Sequence, residues 1–245
     1  MSSQPEVEYR HSVVFLGSFS VGAFHYRNGF ASDLFSEEEK DAIDKMHRIE
    51  TPSYLEYRTS SLKVSCSSGR LILATLADKR HDELKDRLFM LLMNAPQMLV
   101  TAFGYNVDMT LSFLDKNSWM ELGYSLVPKR TFFEELSNAQ PELSNLAVLI
   151  SHSEESSRLM LHIAIDPLAH GNGKWRAAFR LNDHFDKDVI DRIAYGDDAS
   201  TSEPANEVYA QLDTVEKAVE KSWDNSKCFN IEWLEKMIEG VINNG

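Results

Sequence analysis

Cysteine is almost missing from this chain, and so are proline, long apolar runs and an excess of positive charge. The two cysteines, Cys66 and Cys228, exclude a disulfide scaffold and point to a reducing compartment, the cytoplasm; a bridge between them has no support beyond the even count. The seven prolines in 245 residues, with 43% hydrophobic and 26% charged residues, exclude disorder throughout and leave enough apolar mass for one large core or two smaller ones. The longest apolar runs, Leu146 to Ile150 and Leu159 to Ile165, fall far short of the roughly 20 residues that a membrane-spanning helix needs, so no membrane is expected as a partner. The opening MSSQPEVEYRHSVVF has no basic segment followed by an apolar stretch and a cleavage site, and is not read as a secretory signal.

Lysine plus arginine number 25 against 38 acids, a net charge of -13. The excess sits late: from Asp183 onward there are 15 acids and 6 bases, a net of -9. Such a balance repels phosphate backbones, so direct nucleic-acid binding is not expected, and it favours a protein partner with a basic surface or self-association. Exposed acids also simply keep helices soluble.

Two stretches carry the same order of elements, strand, helix, hairpin, helix, in residues 7–95 and 98–223. Val7, Tyr9, His11 and Val13 alternate with polar residues and run into Val14-Phe15-Leu16, a strand ending near Gly17, with a further extended piece through Phe24. Ser36, followed by Glu37, Glu38 and Glu39, is a helix N-cap with its capping box, and that helix should end near Arg48. Tyr54 to Tyr57 is strand-like, and Leu62 to Cys66 turns at Ser67-Ser68-Gly69 into Arg70 to Leu76 as a hairpin. Asp78 to Met93 shows leucines at helical spacing and stops at Asn94-Ala95-Pro96. In the second half, Val100 to Phe113 describes a long strand bent at Gly104, and Thr131 to Asn138 a short helix. Leu146 to Ile150 and Leu159 to Ile165 form a hairpin that should occupy the centre of a covered sheet. Asp197 to Asn206 reads as a polar linker. Two amphipathic helices follow, one on Val208, Leu212, Val215, Val219 and Trp223, the other on Ile231, Leu234, Ile238 and Val241.

This order predicts an α+β fold of two tandem ferredoxin-like (split βαβ) units, 1–96 and 97–245, with a mainly antiparallel sheet and helices packed on it. The two halves are either separate or one compact domain carrying acidic C-terminal helices.

No residue cluster does as much for chemistry. None of the eight histidines lies in an H-E-x-x-H or H-x-H spacing and no C-x-x-C is present, so no metal site and no cofactor is expected. A turn centred between Glu154 and Glu155 places His162 opposite Ala147 and His152 opposite Ser157, too far apart to share a ligand. The run Asp183, His184, Asp186, Asp188 and Asp191 lacks the glycine and terminal glutamate of a calcium loop and is read as an acidic helix start near Asp183. His170-Gly171-Asn172-Gly173-Lys174-Trp175 lacks phosphate-loop spacing and is read as a hairpin connection between Ile165 and Phe179. Neither cysteine sits beside a histidine, and Cys66 reads as a small buried hydrophobe.

Two functional expectations follow. The first is a non-enzymatic interaction protein, a subunit or adaptor that docks by an aromatic N-terminal segment (Phe19, Phe24, Tyr26 and Phe30, interspersed with Gly22 and Gly29), by its sheet edge or by its acidic C-terminal helices. The plainer reading of those rings is a packed loop covering the sheet edge. The second is a hydrolase or transferase assembled from dispersed residues, His162, His170, Asp166, Lys174 and Asp183, which requires those side chains to converge in one pocket.

Overall fold

In the computed structural model, which describes residues 5–27, 29–76, 81–94, 98–126, 145–150, 158–165, 174–195, 210, 213–223, 232, 234–236 and 239, the chain is α+β with one open antiparallel sheet. The nine strands are β1 (Glu6–Ser18), β2 (Ile49–Thr51), β3 (Tyr54–Arg58), β4 (Leu62–Ser67), β5 (Arg70–Thr75), β6 (Leu99–Phe113), β7 (Asn145–Ile150), β8 (Arg158–Ile165) and β9 (Trp175–Asp186). Their order across the sheet is β2-β3-β4-β5-β1-β6-β9-β8-β7, with every neighbouring pair antiparallel. The α-helices are α1 (Glu37–Lys45), α2 (His81–Asn94), α3 (Lys116–Ser125), α4 (Lys187–Tyr195) and α5, residues 213–223.

Local chemistry sets several boundaries where the sequence places them. Ser36 caps α1: its hydroxyl accepts from the Glu39 amide at 3.3 Å while the Glu39 carboxylate accepts from the Ser36 amide at 2.8 Å, a pairing that stabilises a helix start by about 1 kcal/mol. Helix α1 stops at Lys45, one turn short of Arg48. The β4–β5 hairpin sets Ser67 opposite Arg70, leaving Ser68 and Gly69 as a two-residue turn. After Ser18 the chain makes two 3-10 turns, Val21–Phe24 and Phe30–Leu34, instead of a second extended piece. Helix α3, unmarked by leucine spacing, starts on Asp115, whose carboxylate accepts from the amides of Asn117 and Ser118 at 3.2 and 2.9 Å. The expected helix over Thr131 to Asn138 and the linker Asp197 to Asn206 lie outside the described residues.

The centre of the sheet belongs to β1 and β6, which pair along the whole of β1, from Glu6 opposite Ser112 to Ser18 opposite Leu99. The apolar hairpin expected there is displaced: β7 is an edge strand and β8 its only described neighbour. The reason is length and company, since β1 and β6 are the longest strands and each has partners on both sides. Strand β6 runs through Gly104 in register with Val14 and His184, and the irregularity lies instead at Leu16/Gly17 on β1. The helix start expected at Asp183 is also displaced. Pairing with β6 holds residues 183–186 extended, Phe185 stacks on Phe103 at 4.7 Å, and Asp186 caps α4 by accepting from the Val189 amide at 3.1 Å.

Because the side-chain period of a strand is two, this register decides which residues share a face. Phe15, Phe103 and Phe185 form one row, and Val107, Leu181 and Leu161 another. Both rows are buried on the same face, where the helices pack. One apolar cluster joins Val13, Phe15 and Leu73 to Leu88 of α2, Ile190 of α4 and Val219 of α5. The second joins Val107, Leu111 and Phe179 to Trp119 and Leu122 of α3 and to Leu234. Between them Tyr105 donates from its hydroxyl to the Val219 carbonyl at 3.2 Å.

An added Cβ at Gly17 would lie 1.8 Å from the Leu99 carbonyl oxygen, whereas at Gly22 it meets nothing within 4 Å. Gly17→Ala is expected to destabilise the fold by about 1–3 kcal/mol or more through forced backbone displacement, and Gly22→Ala to leave the urea midpoint nearly unchanged. Equal midpoints for the two variants would contradict the β1–β6 packing.

Candidate functional site

The second face of the sheet carries the alternate residues of the same strands. On the described residues no helix covers it, and its side chains are mostly polar. In its middle Asn182 donates its amide to the Asn106 carbonyl oxygen, and Asn106 donates onward to Ser12 Oγ at 3.2 Å, a cross-strand ladder over β9, β6 and β1. The next row places Arg10, Asp108, Arg180, His162 and Ala147 side by side. Arg180 donates to Asp108, and Lys174 pairs with Glu6 at one end of the face. On β3 and β4, the Tyr54 hydroxyl donates to Glu56 at 2.5 Å and Lys63 pairs with Glu56 at 2.9 Å. Burial opposes ionisation of Glu56, but these two donors outweigh it and hold its carboxyl below the usual range.

A second polar constellation flanks a shallow depression of about 410 Å3 floored by Val21 and Leu55. At its rim His25 Nδ1 accepts from the Arg27 amide at 3.1 Å, which leaves the proton on Nε2, directed at Glu50 2.5 Å away. The His25 ring stacks on Tyr26 at 4.6 Å. Tyr26 donates to Asp44, which also receives Arg27 and, at 3.1 Å, Arg48. Bonds from Tyr26 and then Arg27 lower the Asp44 carboxyl below its usual range, while burial and then the bond to Asp44 raise the Tyr26 phenol. Both ring nitrogens of His25 are engaged and the Asp44 carboxylate is shared by three donors. This network fastens the 3-10 segment to α1 and β2; it offers no free base.

Of the five residues of the expected dispersed active site, three are described, and His162 and Asp183 lie on opposite faces of the sheet. His162 lies on the open face beside Arg180 and opposite Ala147, as the turn geometry predicts. Asp183 lies on the helix-covered face opposite Tyr105 and is buried. The sheet stands between them. Lys174 is committed to Glu6, and Asp166 and His170 fall outside the described residues. The register of β8 against β9 confirms the chain reversal between Ile165 and Phe179. The aromatic segment also differs from a docking surface: Phe19, Phe24 and Tyr26 are buried and Phe30 packs against the same cluster. Phe24 meets Phe19 and Phe30 edge to face at 6.1 and 6.3 Å, geometry worth about 0.5–1.5 kcal/mol per pair beyond burial. Cys66 is buried, as expected, and burial pushes its thiol up to about 12. Among the described residues no three His, Cys, Asp or Glu side chains come together as metal ligands, and no helix is long and apolar enough to cross a membrane.

No protein family and no curated protein matches this sequence.

The polar residues of both constellations escape sequence reading for different reasons. Asn106, Asp108 and Asn182 occupy the solvent phase of alternating strands, a legible signal, but their pairing needs the register. His25, Asp44 and Glu50 carry no spacing signal because only the fold joins them. Asp44 is depressed relative to an unfolded aspartate near 3.9, so its contribution to stability is present above that pH and is lost as pH falls through its folded pKa. Tyr26 is raised, so it should ionise above the ordinary tyrosine range near 10. Ultraviolet titration of the native chain against Tyr26→Phe checks this, and Asp44→Ala should bring the Tyr26 ionisation down; an unmoved curve would remove the bond.

Proposed function

We propose that this chain is a non-enzymatic interaction protein, a cytoplasmic subunit or adaptor of a larger assembly. The observation that carries the reading is the one-sided covering of the sheet. Among the described residues, helices pack on one face, and the other presents rows of polar side chains bonded to one another with no place where reacting groups converge. The separation of His162 from Asp183 by the sheet removes support from a hydrolase or transferase built on them.

The partner we infer is a protein with a basic surface, or a second copy. Glu37, Glu38 and Asp41 are exposed along α1, and the charge of -13 keeps nucleic acid an unlikely ligand on electrostatic grounds. We further infer two ferredoxin-like units, 1–96 and 97–245, fused through one sheet. In support, β1, α1, β4, β5 and α2 of the first unit follow a β-α-β-β-α order, and β6, the strand that opens the second unit, lies beside β1 where such a unit places its last strand. The paucity of cysteine supports the cytoplasm.

Affinity capture of the full chain from its source cells, read by native mass spectrometry, should recover a stoichiometric partner. Its retention should fall with added salt, as the screening length shrinks from about 30 Å at 0.01 M to about 3 Å at 1 M. Charge reversal at the exposed Glu8 of the open face, to Lys, should weaken capture by a basic partner without unfolding the chain if that face is the contact. Neutralising Glu37, Glu38 and Asp41 tests the acidic helix in the same way. Recovery of no partner, together with a monomer at all concentrations, would defeat the reading.

A further inference from the structure

We infer that two copies of this chain associate edge to edge through β7, antiparallel across a two-fold axis, so that their sheets become one. This rests on the interaction reading above and names a partner for it.

The two edges of the sheet differ in the way that matters for pairing. Strand β2 is three residues long, and its central Glu50 is tied to His25 and Arg48, features that blunt an edge. Strand β7 is six residues long, Asn-Leu-Ala-Val-Leu-Ile, with no charge and no proline. It presents apolar side chains toward both faces: Leu149 is 62% exposed on the polar face and Val148 is 37% exposed on the helix-covered face. In a chain of net charge -13, an uncharged edge is where a second copy can approach with least repulsion.

The occupant follows from the strand's own chemistry. An edge that selected a basic or acidic peptide would present the complementary charge, and β7 presents none. It does match itself. A two-fold axis at Val148 sets Val148 against Val148 of the second copy and Ala147 against Leu149; an axis at Ala147 sets Leu146 against Val148. Either register brings apolar residues together on each face and opposes no like charges, the condition for favourable cross-strand pairs. Pairing also satisfies backbone groups along the edge and shields Leu149 from water.

Sedimentation velocity of the full chain over a wide concentration series tests this. The expected result is a reversible dimer whose dissociation constant rises about ten-fold or more in Leu149→Lys, since the substitution replaces an apolar cross-strand contact and brings two added like charges close to the two-fold axis. Leu114→Lys, at a site 67% exposed elsewhere on the surface, should leave the dimer intact, and circular dichroism should be the same for all three proteins. Should Leu149→Lys disturb folding, Val148→Cys and Ala147→Cys decide: mild oxidation should join two copies through whichever residue lies on the two-fold axis, because a residue paired with itself across antiparallel strands has its Cα atoms within the roughly 4.4–6.8 Å a disulfide spans. A monomer at every concentration, or a dimer indifferent to Leu149→Lys and joined through neither Val148→Cys nor Ala147→Cys, overturns the inference. A monomer that still captures another protein would overturn self-pairing alone and leave the interaction reading standing.

Discussion

The antiparallel pairing of β1 with β6 is the constraint on which the rest of the molecule depends. It joins the strand that opens the first half to the strand that opens the second, along the full length of β1, with a glycine at the one point where the backbones approach too closely for a side chain. Once that register is set, every other strand inherits its phase. Residues 13, 15, 103, 105, 107, 181 and 185 fall on one face, and helices from both halves have a single apolar surface to cover. A slip of one residue would send the same side chains into water.

The covered face is not uniform. Its two clusters meet near Tyr105, and there the polar groups His11 and Asp183 are also buried on the sheet. Aromatic packing bridges part of this seam: Tyr105 lies edge to face with Phe103, Phe185 and Trp223 at 5.2–5.7 Å. The seam does not separate the two halves, since the first cluster packs Val13, Phe15 and Leu73 together with Phe103, Phe185 and Val219. On the opposite face, among the described residues, ladders of Asn, Ser, Arg and Asp bond to one another across strands.

The aromatic segment after β1 shows how one composition can serve opposite ends. Rings separated by glycine suit an interface anchor, but they equally suit a tightly folded strap, and here the strap is realised. The Tyr57 hydroxyl donates to the Phe24 carbonyl at 3.0 Å, and Tyr26 packs on Tyr57 at 5.1 Å, so β3 draws the segment inward. What remains outside is charged and internally paired, with Arg27, Asp41, Asp44 and Arg48 binding it to α1. The site-like density of ionisable groups there is the fastening of that strap.

The α+β class, most of the strands, the α1 capping box, the Ser68-Gly69 turn and the placement of His162 opposite Ala147 are legible in the amino-acid order alone, because each depends on a local period, a cap or a turn. Only the tertiary structure decided that β7 lies at an edge and not at the centre, that residues 183–186 extend instead of coiling, and that His162 and Asp183 stand on opposite sides of the sheet. Those outcomes depend on which strand pairs with which. Pairing is settled by contacts between residues far apart in the chain, such as Phe103 with Phe185 and Ser12 with Asn106, whose energies no local pattern records.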